Sequence, residues 1–533
     1  MLIIPRTPPA ANAAPATASV WPFRRSDDQH RDPLDEFMRK VECGWTDRPT
    51  TARSSGIETT DLSINSQRPR SSRFKTHHPA GGQSKTLTRN PKLDLPQPGQ
   101  LRNRAPHIKK RLQAHPRFTC ASREQGVLAE PRVLVHMPNV AARSQQAKYT
   151  VAGTDSTSPH RVSPQRIRSN EWRSLGIFNF TGTPSVSLSN ITEEQVGVDI
   201  ACDAVAFQNM GSNPTQVVGM GDSFASGEGA DNDGGKDYFR ETDYKENLGN
   251  DEVSNKYHRS KYAWIREANL PGKSQSIGEI SDSYGNVDLS FIACSGARTY
   301  NVISGGAWQW GNSLPQIDLG YLDQNTDIVT IAIGGNDARF SDIITRCLIP
   351  AITCPGHPGA HLDGKPMDLE VPRIIDEEVK PGVQETLAEI RTRAPKAQLV
   401  LMGYPPLIDG DCVPYLNQEE AAWRNDTVAP HLTAAMREAA KANDAIFVDP
   451  AKEFQGKAIC GDPETIHGVV TSGRSEADNS APLPSMKSFH PKVSGARLYA
   501  DALERGLGWF AKSHVRGVSV FPGPHASAES YGK

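Results

Sequence analysis

The heptapeptide Gly221-Asp222-Ser223-Phe224-Ala225-Ser226-Gly227 follows directly on Gln216-Val217-Val218-Gly219-Met220. A short β-branched run that stops at Gly-Asp-Ser reads as a strand handing a serine to a tight turn. In a parallel α/β sheet, ligands gather at the carboxyl ends of strands, so this placement displays Ser223 at the mouth of a cleft. A serine there becomes a nucleophile when a base and an oxyanion site converge on it. The tripeptide alone fits many ordinary turns, and its meaning depends on what lies downstream.

Three further blocks follow in order. Asp288-Leu289-Ser290-Phe291-Ile292-Ala293 runs into Cys294-Ser295-Gly296-Ala297, and Asp327-Ile328-Val329-Thr330-Ile331-Ala332-Ile333 runs into Gly334-Gly335-Asn336-Asp337. Ser488-Phe489-His490-Pro491 opens a helical pattern through Leu498, Leu503 and Leu507. Helical patterns at about 373–393 and 417–442 separate two more strands, 398–403 and 445–448. Five strands interleaved with helices predict a three-layer, doubly wound α/β domain. With the four blocks in this order, residues 214–513 resemble the SGNH (GDSL) hydrolase family, named for the Ser, Gly, Asn and His found in them. The resemblance implies a flavodoxin-like parallel sheet and a serine carboxylic ester hydrolase, an esterase or lipase, with no metal and no cofactor.

The chemistry explains why these residue types belong together. Ester hydrolysis by serine needs a proton acceptor that works near neutral pH, and His490 is suited to it. By the resemblance, the oxyanion donors are the backbone N–H groups of Ser223 and Gly296 and the side-chain amide of Asn336. Taken singly, Gly296 is a turn glycine, Asn336 an Asx cap and His490 one of 15 histidines; only their joint order points to a site. Many relatives carry an aspartate three residues before the histidine, where this chain has Lys487. A lysine side chain accepts no hydrogen bond. Some actinobacterial relatives instead use a Ser–His dyad with a main-chain carbonyl, which makes the Lys487 carbonyl the expected support for His490. A carboxylate from elsewhere, such as Asp449 or Asp478, is the competing reading.

At 533 residues with a net charge of −2, the chain is long enough for two or three domains and offers no bulk electrostatic case for a nucleic-acid partner. No stretch approaches 18 uninterrupted apolar residues, so no membrane span is predicted, and Met1–Arg6 does not read as a signal peptide. Cys347 and Cys354 bracket a short loop, while Cys412 and Cys460 flank a helix and a strand. Secreted dyad-type lipases that the chain resembles carry disulfides in comparable places, which implies a secreted protein. In such relatives a third bridge joins the cysteine before Ser-Gly to one near a His-Arg-Ser segment; here Tyr257 stands in that segment. Cys294 is then unbridged or pairs with Cys202.

Residues 1–125 are rich in Pro, Arg, Ser and Thr without useful periodicity, and residues 62–123 hold 14 Lys/Arg against one acid, Asp94. This composition predicts a disordered segment. From 130 to 208, short strands without helical interludes predict a small β-sandwich. Its Trp172, Leu175–Phe180, Val186–Asn190 and Asp203–Phe207 elements resemble a golvesin C-terminal-like domain, whose usual amino-terminal strands are not legible here. The resemblance suggests a polysaccharide partner, with Trp172, Phe178 and Phe180 either stacking on sugars or filling a core. It sets a polysaccharide O-acetyl esterase beside the lipase reading, and an inactive surface-binding protein beside both. The insertion 227–262 and the loop 455–487 are long enough to wall the acyl site or form a lid, and residues 514–533 read as a tail.

Overall fold

Long apolar runs bounded by glycine become the strands of one parallel sheet: β1 (Thr215–Gly221), β2 (Val287–Phe291), β3 (Ile328–Ala332), β4 (Gln398–Met402) and β5 (Ile446–Val448). The computed structural model describes residues 2–4, 41–46, 117–122, 130–138, 142–166, 171–192, 194, 199–232, 234, 236–248, 251–304, 313–347, 361–410, 427–471 and 485–515. The sheet order is β2-β1-β3-β4-β5, with every neighbouring pair parallel. This is the flavodoxin-like winding, in which the connections diverge at β1 and β3 and leave a crevice at their carboxyl ends. Ser223 lies two residues beyond β1 and Asn336 four beyond β3.

Side chains alternate across the sheet with period two, so both faces are apolar and both are covered. Val218, Met220, Ile331, Leu399 and Leu401 pack with Val383, Leu387 and Met436 on one side. Val217, Val400 and Met402 pack with Trp264, Ile265, Tyr499 and Leu503 on the other. The helices used below are α1 (Ser223–Ser226), α2 (Phe340–Cys347), α3 (Lys380–Arg393), α4 (Ala429–Ala442) and α5 (Val493–Val515). The helix expected at 373–393 is a composite in which a π-turn at Ile375–Val379 precedes α3. Pro381 near the start of α3 has no N–H to donate into the preceding turn, and widening that turn accommodates the loss. Residues 411–426, expected to begin the next helix, lie outside the described residues.

Ahead of this domain, two antiparallel sheets share a core of Val135, Tyr149, Val151, Leu175, Phe178, Phe180, Val186 and Phe207. One sheet joins Val205–Gln208, Arg132–Met137 and Glu171–Ile177. The other joins Val41–Thr46, Arg117–Ser122, Phe180–Ser189, Ala147–Thr154 and His160–Ser163. The expectation of disorder over 1–125 is therefore corrected at three places, because Leu2–Ile4 also forms a strand, against Ile200–Cys202. Pairing on an open strand edge runs through the backbone and asks for no hydrophobic period in the joining chain. Composition concealed these strands for that reason. The rest of 1–125 and residues 516–533 lie outside the described residues. Phe178 and Phe180 are core residues, which removes them as sugar-stacking candidates.

Cys460 is disulfide-bonded. Cys354 and Cys412 lie outside the described residues, as does the side chain of Cys347. Cys202 and Cys294 are buried thiols in two different cores, so of the two alternatives for Cys294 the structure has the unbridged one.

Candidate active site

The turn after β1 is closed from within. Asp222 caps α1 by accepting the N–H groups of Phe224 (3.0 Å) and Ala225 (3.4 Å). A left-handed Gly227 ends the helix after a single turn. Gly221 is required where β1 meets β3: it sits at φ +119°, and a Cβ there would fall 2.1 Å from the Ala332 carbonyl oxygen. Ser223 is thus held at the crevice by the ends of the two central strands. Its hydroxyl lies 2.8 Å from Nε2 of His490, 267 positions away in sequence. That contact orients the hydroxyl to donate to a neutral imidazole.

The other ring nitrogen, Nδ1, faces the main-chain carbonyl of Ser488 at 3.0 Å. The expectation that Lys487 supplies this carbonyl is corrected. The Lys487 carbonyl accepts the backbone N–H of His490 (3.1 Å) instead. The tight turn through Phe489, at φ +64°, swings the next carbonyl under the ring. The Lys487 side chain is buried in an ion pair with Asp231. Asp449 accepts from the Ala451 N–H and pairs with Arg437, well occupied away from His490; Asp478 lies outside the described residues. Burial drives the His490 pKa below the ordinary imidazole value, opposed by the charge of Glu228 and by the Ser488 carbonyl. The ring is therefore neutral, and able to accept a proton, at neutral pH.

Among the described residues, no acceptor takes the N–H of Ser223 or of Gly296. Gly296 is exposed at φ +80°, in a loop pinned to the nucleophile turn by the Cys294 N–H bond to the Gly221 carbonyl (2.9 Å). Asn336 donates one amide hydrogen to the Ala297 carbonyl at 2.9 Å, which fixes the side chain and leaves its second N–H for another acceptor.

Tyr404, just beyond β4, was not singled out from sequence and joins two of the motifs. Its hydroxyl donates to Asp222 (2.5 Å) and accepts the Gly335 N–H (2.9 Å). Burial pushes the Asp222 carboxyl up to about 7, although Tyr404 and the two capped amides pull the other way. The signal available in the sequence was position: Tyr404-Pro405 stands at the carboxyl end of a predicted parallel strand. A second unforeseen group is Glu228, buried and accepting from His258 Nδ1 (2.5 Å), Ser295 Oγ (2.8 Å) and the Tyr238 hydroxyl (3.2 Å).

Ser223, Asn336 and His490 open on a pocket of about 90 Å³. Its apolar wall comes from Phe224, from Phe340, Ile343 and Ile344 of α2, from Leu407, and from Val428 and Leu432 at the start of α4. The described residues of 227–262 and 455–487 do not line this pocket. Asp243–Leu248 and Asp251–Lys256 pair as antiparallel strands, and His467 reaches back to the Gly229 carbonyl.

The sequence from 220 to 498 matches the family model described as GDSL-like Lipase/Acylhydrolase. The chain belongs to this GDSL-like lipase/acylhydrolase family. It is similar to a lipase of Streptomyces rimosus, 26% identical over 53% of this chain and 82% of the relative. Lipase 1 of Streptomyces coelicolor is likewise 26% identical, over 52% of this chain and 85% of the relative. Among solved structures, the extracellular lipase of Streptomyces rimosus aligns with TM-score 0.40 and 25% identity over 55% of this chain and 99% of that one. Membership makes this chain a carboxylic ester hydrolase of the GDSL type. Among the described residues, no helix is long and apolar enough to cross a membrane.

Proposed function

We propose that this GDSL hydrolase is a secreted esterase or lipase that cleaves acyl esters with a Ser223–His490 dyad. The observation that carries the reading is the 2.8 Å contact between the Ser223 hydroxyl and Nε2 of His490, with Nδ1 held by a main-chain carbonyl. His490 takes the proton as Ser223 Oγ attacks the ester carbonyl, then returns it to the leaving alcohol. The N–H groups of Ser223 and Gly296 and the second amide hydrogen of Asn336 receive the oxyanion. Water, deprotonated by the same imidazole, then hydrolyses the acyl-enzyme. Secretion fits the disulfide at Cys460.

The apolar wall favours acyl chains over acetyl. At about 0.8 kcal/mol per buried methylene, each added CH₂ raises kcat/KM about fourfold until the pocket is filled. A p-nitrophenyl ester series from C2 to C10 tests this. A rise to C6 or beyond supports the lipase reading, whereas activity confined to acetyl supports a polysaccharide O-acetyl esterase. In that second reading the β-sandwich is a golvesin-like binding module, and Trp172, partly exposed beside His136, is its remaining aromatic candidate. A fluorophosphonate probe labels the wild type and not Ser223→Ala, whose turnover falls on the order of 10⁶-fold. Failure of the wild type to label turns the reading toward an inactive binding protein.

A further inference from the structure

The oxyanion step needs two turns at a fixed distance, because Ser223 follows β1 and the Asn336 amide follows β3. An error of about 1 Å in such a spacing costs on the order of 10² in rate. The sheet fixes the strand ends, where the Asp222 N–H donates to the Ala332 carbonyl at 2.9 Å. Asn336 lies four residues beyond Ala332, across Gly334 at φ +113° and Gly335, which have no side chains to hold the chain in place. The Asn336 amide and the Asp337 carboxylate bond to Ala297 and Thr299 of the Gly296 loop, and neither bond reaches the nucleophile's turn.

Tyr404 crosses that gap. It stands just past the carboxyl end of β4, the strand beside β3. The Gly403 N–H before it donates to the Val448 carbonyl at 2.8 Å, and Pro405 after it favours extended backbone at Tyr404. The hydroxyl donates to Oδ2 of Asp222 (2.5 Å), while Oδ1 of the same carboxylate accepts the Phe224 and Ala225 N–H groups. It also accepts the Gly335 N–H at 2.9 Å. One oxygen therefore bonds both to the residue before Ser223 and to the residue before Asn336. The approach leaves no room for a side chain: a Cβ on Gly335 would fall 3.0 Å from Cζ of Tyr404 and 3.1 Å from its hydroxyl oxygen. Burial and the Asp222 charge push the phenol pKa up, so the hydroxyl keeps the proton it donates. The ring packs edge-on against Phe224 at 5.1 Å, and Phe224 stands 5.0 Å from the His490 ring.

We infer that Tyr404 is a positioning residue for the oxyanion step: its hydroxyl sets the spacing between the Ser223 turn and the Asn336 amide. This rests on the assignment of Asn336 as an oxyanion donor. The test is a double-mutant cycle on the full chain with p-nitrophenyl butyrate, each rate divided by the amount of enzyme that fluorophosphonate labels at completion. Tyr404→Phe keeps the ring against Phe224 and the acyl pocket and removes only the hydroxyl. It should lower kcat about ten- to a hundredfold, with KM within about twofold. In an Asn336→Ala background no donor is left to misplace, and the same change should cost less than about threefold. A hydroxyl that only stabilises the fold would act alike in both backgrounds. An equal loss in the Asn336→Ala background, or an unchanged kcat in Tyr404→Phe alone, overturns the inference. Should Tyr404→Phe fail to fold, Gly335→Ala reaches the same spacing from the other side, because its methyl group displaces the ring while the hydroxyl is retained. The same loss is then expected, again confined to the background with Asn336 intact, and a wild-type kcat is equally fatal. Failure of the Asn336 assignment itself shows separately, as an Asn336→Ala variant that loses less than about tenfold.

Discussion

Replacing Tyr404 by Phe deletes one hydroxyl and two hydrogen bonds, and their cost should depend on pH. The bond to Asp222 is to a carboxylate that is 1% exposed and titrates at about 7 in the folded chain. Since the folded pKa lies above the ordinary aspartate value of 3.8, the folded state binds this proton more tightly. The group costs nothing below the unfolded pKa, and its full penalty is reached only above about pH 7. A hydrogen bond to a charged group contributes about 1.5–3 kcal/mol. Losing it raises the Asp222 pKa by a further one to two units, at about 1.4 kcal/mol per unit. At pH 5, where Asp222 is protonated in both proteins, the bond to it is one between neutral groups, so losing it together with the bond to the Gly335 N–H costs about 1.5–2 kcal/mol. At pH 9 the total reaches about 2.5–4 kcal/mol. Urea unfolding followed by tryptophan fluorescence at the two pH values measures this directly. Equal destabilisation at pH 5 and pH 9 refutes the reasoning, because the hydroxyl would then not be serving an ionising partner.

Asn336→Ala should lower kcat toward p-nitrophenyl butyrate by roughly 10²–10³, the usual cost of one oxyanion donor; a loss below tenfold removes Asn336 from that role. Lys487→Ala keeps the main-chain path to His490 but removes the ammonium that is ion-paired with the buried Asp231 carboxylate. The expected cost is about 3–5 kcal/mol of stability, read as a lowered urea midpoint, and an unchanged midpoint contradicts the buried pair.

The four blocks carried most of the catalytic domain because a parallel sheet writes its strands as apolar runs and its site at their ends. The order of the four blocks and the resemblance they carry pointed to Ser223 and His490 together, and the structure brings them to 2.8 Å across 267 positions. What stayed hidden depends on direction rather than composition. Whether the Lys487 or the Ser488 carbonyl faces Nδ1 is settled by the positive φ of Phe489, which no periodicity reports. The reach of Tyr404 into Asp222 crosses 182 positions and leaves no local pattern. The strands at Val41–Thr46 and Arg117–Ser122 were hidden because the edge of Phe180–Ser189 orders Arg117–Ser122, which in turn pairs with Val41–Thr46, and neither composition carries that order. The pocket wall was misplaced because loop length marked 227–262, whereas the wall is built from helix starts at Phe340 and Val428.

Two buried carboxylates flank the nucleophile, and their partners drive them in opposite directions. Asp222 meets only neutral donors, the Phe224 and Ala225 amides and the Tyr404 hydroxyl, and burial wins: its carboxyl rises to about 7. Glu228 is equally buried but meets the His258 cation, and falls to about 2. His258 is held up at about 10 by Glu228 and Asp243 despite its own desolvation. Environments that separate two acids this far assign them different work. Asp222 can change protonation without removing charge from the base, because its oxygens are committed to the turn that presents Ser223. Glu228 keeps its charge through the working pH range because His258, Ser295 and Tyr238 hold the carboxylate inside the turn that follows the nucleophile.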